Sequence, residues 1–122
     1  LLDYEILAEP QAVRECRMQL LSLACNDAQG TSDRVTLRIN DRIYFGPRQS
    51  MKTRWTHTFH DVFVDFDERC RSKLEETRGQ DWSRSFEVVR DEYALSTDLS
   101  HSFRADRGIV DDARYTLHYR MI

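Results

Sequence analysis

Two histidines near the middle of the chain have a spacing that could bind a metal ion. His57 and His60 are three positions apart, Asp61 follows them, and residues three apart on a helix lie on the same face. A zinc site needs a third and usually a fourth ligand, and the chain has no Cys-x-x-Cys pair to supply them. We therefore expect exposed histidines here and no metal site.

A second group has the residue types of nucleophilic catalysis: Ser100, His101, Ser102 and Asp106. A catalytic serine needs a base that a third group orients, and residues adjacent in the chain seldom reach that geometry. The four glycines are scattered, so no phosphate-binding loop is present either. We expect a protein that is not an enzyme and has no cofactor, with catalysis through residues 95–113 as the alternative.

Acidic residues cluster between positions 65 and 76. On a helix, Asp67 would lie four residues before Arg71, and Arg71 four before Glu75, which is the spacing of an ion-paired surface. General acid–base catalysis would require buried carboxyl groups, which this pattern does not indicate.

Positive charge is concentrated in residues 31–54. This stretch has a net charge of +4, whereas the whole chain has −3. Its basic residues are Arg34, Arg38, Arg42, Arg48, Lys52 and Arg54. The chain is also rich in arginine, which reflects either genome composition or bidentate contacts to carboxylates and phosphates. The pattern predicts a polarised binding surface.

The first half of the chain predicts a strand, a helix and a β-hairpin. Residues 2–7 alternate as a strand, and residues 10–25 repeat apolar positions at helical spacing. Residues 34–39 and 42–45 then alternate as paired strands. A three-residue loop at 40–42 would pair Ile39 with Ile43 and keep one apolar face, so we prefer it to a two-residue loop.

The second half predicts helices followed by one last strand. Residues 59–74 carry an apolar stripe typical of a helix. Residues 82–93 fit a second helix, although 85–89 could equally be a short strand. Residues 95–113 show no period and are expected to be irregular, and residues 114–121 alternate as a clear strand.

The element order is therefore β-α-β-β-α-(α)-β in a single domain spanning residues 1–122, which we expect to be a fragment of a longer protein. We predict an α+β fold with a small antiparallel sheet and helices packed on one face, in the ferredoxin-like order. The opposite sheet face would be solvated, covered by a protein partner, or bound to nucleic acid. It would present Thr36, Arg38, Tyr44, Thr116, His118 and Arg120.

These features favour a non-catalytic protein–protein interaction domain of a larger intracellular protein, cytoplasmic or nuclear. The expected partner is a protein with an acidic surface, with self-association also open. The alternative is a domain that binds RNA or single-stranded nucleic acid through the same face, with Trp55 either stacking on a base or filling the core. No apolar run is long enough for a membrane helix, and the three cysteines are expected to be reduced thiols. The candidate binding residues are Arg34, Arg38, Arg42, Tyr44, Arg48, Lys52, Arg54, His118 and Arg120.

Overall fold

The computed structural model describes residues 16–29, 32–76, 82–89, 98–105 and 113–122, and within these ranges every regular element is a β-strand. The strands are β1 (Cys16–Asp27), β2 (Asp33–Ile39), β3 (Arg42–Met51), β4 (Thr56–Phe66), β5 (Arg69–Glu76), β6 (Trp82–Val89), β7 (Asp98–Ala105) and β8 (Ala113–Met121). The described part is all-β, so the predicted α+β, ferredoxin-like fold is wrong.

The strands form two antiparallel four-stranded sheets. The first sheet has the order β4-β1-β8-β7 and the second β3-β2-β5-β6. Residues of both sheets contribute to one buried hydrophobic cluster, so a second sheet covers the core where helices were expected. Ring contacts cross between the sheets, with Trp82 and Tyr115 at 5.9 Å and Phe45 and His57 at 4.7 Å between ring centroids.

The segment predicted as the first helix is strand β1 where it is described. Its fully buried side chains are Met18, Leu20, Leu23 and Cys25. A break in the register between Leu20 and Ser22 shifts the alternation by one residue. Because of that shift, the buried residues Leu20 and Leu23 are three apart, which is a spacing typical of a helix.

The segment predicted as the second helix, residues 59–74, is the hairpin of β4 and β5. Its buried residues Phe66, Cys70 and Leu74 are four apart. Cys70 and Leu74 have this spacing because inward positions of one strand alternate, so that every second one is four residues on. Phe66 and Cys70 have it because the short turn between β4 and β5 separates them. The connecting Asp67 and Glu68 include none of the Gly, Pro or Asn signals of a turn. The apolar stripe is therefore the inward face of two strands.

The hairpin of β2 and β3 confirms the predicted strand pair but corrects its loop. Asn40 and Asp41 form a two-residue turn, both with positive φ, the geometry of a type I′ turn. Leu37 still pairs with Phe45, as predicted. A register shift between Leu37 and Arg38 supplies the extra residue that we had assigned to the loop.

That shift has a consequence for the residue after the turn. Ile43 pairs with Arg38 and is 42% exposed, whereas the predicted register placed it in the core. Strand β3 also continues through Gly46 and Pro47 to Met51, where the sequence predicted its end. β3 is thus an edge strand that carries one exposed large apolar residue, Ile43, and two exposed cations, Arg42 and Arg48.

Of the remaining predictions, two are confirmed, one is wrong, and the others lie mostly outside the described residues. The strand reading of residues 85–89 is confirmed by β6, and the last strand is confirmed by β8, whose tyrosines Tyr115 and Tyr119 are buried as expected. Residues 98–105, predicted as irregular, form β7. The predicted strand at 2–7 lies outside the described residues, as does most of the expected loop beyond β7.

The two open sides of the sandwich differ. Edge strands β6 and β7 close against each other, with the rings of Phe86 and His101 stacked at 3.8 Å. Edge strands β3 and β4 lie on the opposite side, where a cleft remains between the sheets. The described ranges contain no helix long and apolar enough to cross a membrane.

Candidate functional site

The open side between β3 and β4 holds a cleft of about 790 Å³, which we call the β3–β4 cleft. Its apolar and aromatic lining comes from Ile43, Phe45, Met51, Trp55 and His57. The side chains of Ile43 and Trp55 are 42% and 48% exposed. A volume of this size lies in the range that concave binding sites use, and the exposed apolar side chains give it an unburied hydrophobic surface.

Backbone hydrogen bonds fix the loop that presents Trp55. The Arg54 N–H donates to the Cys25 carbonyl at 2.7 Å, and the Cys25 N–H donates to the Trp55 carbonyl at 2.8 Å. The Ala28 N–H donates to the Thr53 hydroxyl at 3.0 Å. Because Cys25 of β1 holds the loop at two points and Ala28, just after β1, holds it at a third, the backbone at Trp55 is positioned before any ligand binds.

The other wall of the cleft is a distorted stretch of β3. Gly46 has φ of +100°, and a Cβ atom there would lie 2.9 Å from the Val35 carbonyl oxygen, so only glycine fits without a shift. Next to it, the Arg48 N–H donates to the Thr36 hydroxyl at 2.9 Å. Pro47 has no N–H to offer an incoming strand. This edge therefore suits recognition by side chains better than addition of a strand.

His57 is an exposed residue that lines the cleft and lies between two phenylalanines. Its ring centroid is 4.7 Å from that of Phe45 and 4.8 Å from that of Phe59. His60 is exposed farther along β4, and the described residues contain no group of three or more metal-binding side chains. His57 thus contributes an aromatic surface with a polar edge.

Four cations are each adjacent in the chain to a residue that lines the cleft, and we call them the cationic rim: Arg42, Arg48, Lys52 and Arg54. All four side chains are exposed. No acidic residue occurs between positions 42 and 60. The Lys52 ammonium lies 5.3 Å from the centroid of the Trp55 ring, a cation–π contact that leaves its charge available to a ligand. No ion pair with a described acidic residue involves any member of the rim.

Cations elsewhere on the described surface are only partly paired with acidic neighbours. Arg17 pairs with Asp65 at 2.8 Å and Arg69 pairs with Glu87 at 3.3 Å. The hydrogen bond from Arg17 lowers the pKa of the Asp65 carboxyl below its usual value. Arg71 and Arg114 have no ion pair with a described acidic residue either. The rim is therefore distinguished by four exposed cations within a stretch of the chain that has no acids.

The candidate binding residues do not share one face. Tyr44 lines the cleft, and the four cations of the rim are adjacent in the chain to residues that line it. Arg34 and Arg38 lie on the outer face of the second sheet, because Val35, Leu37 and Ile39 point inward. His118 and Arg120 lie on the outer face of the first sheet, so the sequence combined surfaces that the fold separates.

Two of the separated arginines are held by ion pairs. Arg38 donates to Glu75 at 2.8 Å, and this hydrogen bond is the main reason that the pKa of the Glu75 carboxyl is lowered. Arg120 donates to Asp98 at 2.6 Å, which raises the pKa of the Arg120 guanidinium and lowers that of the Asp98 carboxyl. These contacts leave less charge for a partner than the cationic rim does.

The other chemically suggestive groups do not converge on a reaction centre. In β7, His101 faces inward while Ser100 and Ser102 face outward, because successive strand residues alternate. Asp106 lies outside the described residues. Burial raises the pKa of the Cys25 thiol to about 11 and that of Cys70 to about 12, so neither is a nucleophile at neutral pH.

Sequence reasoning missed two residues of the site. Ile43 was assigned to the core by the predicted hairpin register, and Trp55 was left between a core position and a stacking position. A usable signal was present, since Trp55 directly follows Arg54 and lies within residues 42–60, a stretch without acids. Comparison with protein families, curated proteins and solved structures found no match to this chain.

Proposed function

We propose that this domain is a non-catalytic binding module that holds an acidic, partly apolar segment of another protein in the β3–β4 cleft. The observation that carries the proposal is the pairing of exposed Ile43 and Trp55 with four rim cations that have no described acidic partner. The apolar lining would bury an anchoring side chain, which contributes roughly 25 cal/mol per Å² of apolar surface removed from water.

The cationic rim would select the charge of the partner. Rim charges mainly steer association and exclude partners of like sign, and they are screened by salt over about 10 Å at 0.1 M ionic strength. Arginine also suits carboxylates because its guanidinium can donate two parallel hydrogen bonds. The ligand expected from this combination carries carboxylates on both sides of an aliphatic or aromatic side chain.

Single-stranded nucleic acid fits the same surface less well. Such proteins stack successive bases on several exposed rings. Among the described residues, Trp55 is the one tryptophan, tyrosine or phenylalanine at the cleft that is exposed, and Lys52 already lies over its ring. Tyr44 is only half-exposed. The overall charge of −3 also disfavours binding to phosphates.

The test is a fluorescence anisotropy titration with a labelled short peptide in which glutamates alternate with leucines. The double variant Lys52→Glu/Arg54→Glu should weaken binding at least about tenfold, equivalent to about 1.4 kcal/mol. The matched control Arg71→Glu/Arg114→Glu makes the same change of charge on the outer sheet faces and should change affinity by less than about threefold.

Equal losses in both variants would show that only net charge matters and would contradict the assignment to the cleft. A labelled single-stranded RNA that binds more tightly than the peptide and competes with it would replace the proposed partner by nucleic acid.

A further inference from the structure

The second half of β4 and the turn after it have the composition of the ligand that the β3–β4 cleft selects. Residues 61–68 contain four acids and no basic residue, whereas residues 42–60 contain the four rim cations and no acid. Phe63 is 38% exposed, and it lies two residues from Asp61 on one side and two residues from Asp65 on the other. The folded chain therefore carries an exposed aromatic ring with a carboxylate on each side of it.

The fold presents this ring at an open edge of the first sheet. Strand β4 is the outermost strand on that side. Phe63 and Asp65 alternate with the buried Val64 and Phe66, so both point away from the core. Asp61 is exposed at the register break of β4 and has φ of 53°. We call the following exposed residues the acidic patch: Asp61, Phe63, Asp65, Asp67 and Glu68.

One cation borders the acidic patch. The Arg17 guanidinium donates to both carboxylate oxygens of Asp65, at 2.8 and 3.2 Å, and lies 5.3 Å from the centroid of the Phe63 ring. The patch keeps a net negative charge, since it has four carboxylates against this one cation. Arg17 also holds the Asp65 carboxylate beside the ring, so that the apolar group and the charge are presented together.

The acidic patch and the cleft of one molecule cannot meet. His57 lines the cleft, and Phe63 follows it six residues later in the same strand. This separation is up to about 20 Å at 3.3 Å per residue, and it exceeds the screening length of about 10 Å at 0.1 M salt. The two complementary surfaces can contact each other only between separate copies of the chain.

We propose that the acidic patch of one copy occupies the β3–β4 cleft of a second copy. Phe63 packs between Ile43 and Trp55, and the carboxylates beside it face the cationic rim. The inference rests on the proposed function, since it names a second copy as an occupant of the same cleft. Because the two contacting surfaces differ, the contact is head-to-tail and leaves one open cleft and one open patch at the ends of each assembly. An acidic partner then competes with self-association.

The experiment uses the full chain and sedimentation velocity, in which head-to-tail contacts make the sedimentation coefficient of the wild type rise with concentration. Phe63→Ser removes the anchor of the patch and leaves the cleft intact, whereas Lys52→Glu/Arg54→Glu disables the cleft and leaves the patch intact. Each variant alone should self-associate at least about tenfold more weakly than the wild type. An equimolar mixture of the two should form a one-to-one complex, because it contains one intact cleft and one intact patch.

A second patch variant tests the charges separately from the ring. Asp61→Asn/Asp65→Asn removes two carboxylates of the patch, and asparagine tolerates the positive φ at position 61. Its matched control, Glu87→Gln/Asp98→Asn, removes two exposed and ion-paired carboxylates from β6 and β7. The patch variant should weaken self-association about tenfold and the control less than about twofold.

A wild type that stays monomeric, or a mixture that forms no complex, overturns the inference, while binding of the glutamate–leucine peptide to Phe63→Ser leaves the proposed function standing. Equal self-association of Phe63→Ser and the wild type also overturns it, since another surface then makes the contact. A one-to-one complex in the mixture, without peptide binding to Phe63→Ser, supports the inference and overturns the proposed function.

Discussion

The two tryptophans of this chain occupy opposite environments. Trp55 is 48% exposed at the β3–β4 cleft, whereas Trp82 is 6% exposed and packs against Tyr115 in the core. The substitution Trp82→Ala should therefore lower the free energy of unfolding by about 3–5 kcal/mol, as is usual for a buried large aromatic residue. Trp55→Ala should cost less than about 1 kcal/mol, because about half of its side chain is already exposed to solvent.

Urea unfolding of the two variants, followed by far-ultraviolet circular dichroism, measures both values. The comparison separates a residue kept for binding from a residue kept for stability. A loss of 3 kcal/mol or more in Trp55→Ala would show that the indole supports the fold and would remove the argument that it is available to a ligand.

For single residues of the site, the sequence predicted which side chains form a charged cluster but not which apolar side chains are exposed. The rim cations could be identified because a run of basic residues without acids is visible in the sequence. The exposure of Ile43 could not, since it depends on a bulge between Leu37 and Arg38 that no residue type announces. Arg38 and Arg120 were candidates because alternation placed both on the open sheet face. Their ion pairs depend on cross-strand neighbours that only the sheet order reveals.

Strands that imitate helices account for the errors at the scale of elements. A bulge in β1 and the short turn between β4 and β5 converted alternating patterns into spacings of three and four residues. Strand β8 was predicted correctly because its alternation is uninterrupted. In β2, Thr36 was expected on the open sheet face but is buried, where the register shifts between Val35 and Leu37. Bulges are set by packing between strands that are distant in the sequence, so local spacing could not reveal them.

The closure of β6 against β7 predicts a pH dependence of stability. His101 stacks on Phe86 at 3.8 Å and lies edge-on to Phe103 at 5.2 Å, and its burial lowers the pKa of the imidazole below 6.5. The unfolded chain therefore binds a proton at a higher pH than the folded chain does. The free energy of unfolding should fall as the pH is lowered from about 6.5 through the depressed pKa.

Urea unfolding at several pH values between 7 and 5 measures this dependence. His101→Phe keeps an aromatic ring against Phe86 and should remove the part of the dependence that this histidine causes. His118→Phe changes an exposed histidine on the outer face of β8 and serves as the control. An identical pH dependence in the wild type and in His101→Phe would contradict the account of this closure.

The whole molecule has two sides with different roles. One side of the sandwich is closed by aromatic rings, and the other leaves an apolar cleft bordered by cations. Cross-sheet hydrogen bonds such as that from the Tyr115 hydroxyl to the buried Asp33 carboxylate, at 2.7 Å, hold the sheets together. A fixed cleft loses little conformational entropy when it binds a ligand.

The sequence indicated a polarised binding surface at this scale but not its shape. The concentration of positive charge in residues 31–54 was visible, and that surface remains the basis of the proposed function. The cleft itself was hidden, because it lies between the edge strands of two sheets, and the second sheet was mistaken for helices.

The most direct test of the cleft as the binding site is a ¹H–¹⁵N NMR titration of the full chain with the glutamate–leucine peptide. The account predicts that the largest shifts occur at Ile43, Trp55 and His57 and that Lys52→Glu/Arg54→Glu abolishes them. Largest shifts near Arg38 or Arg120, on the outer sheet faces, would contradict it.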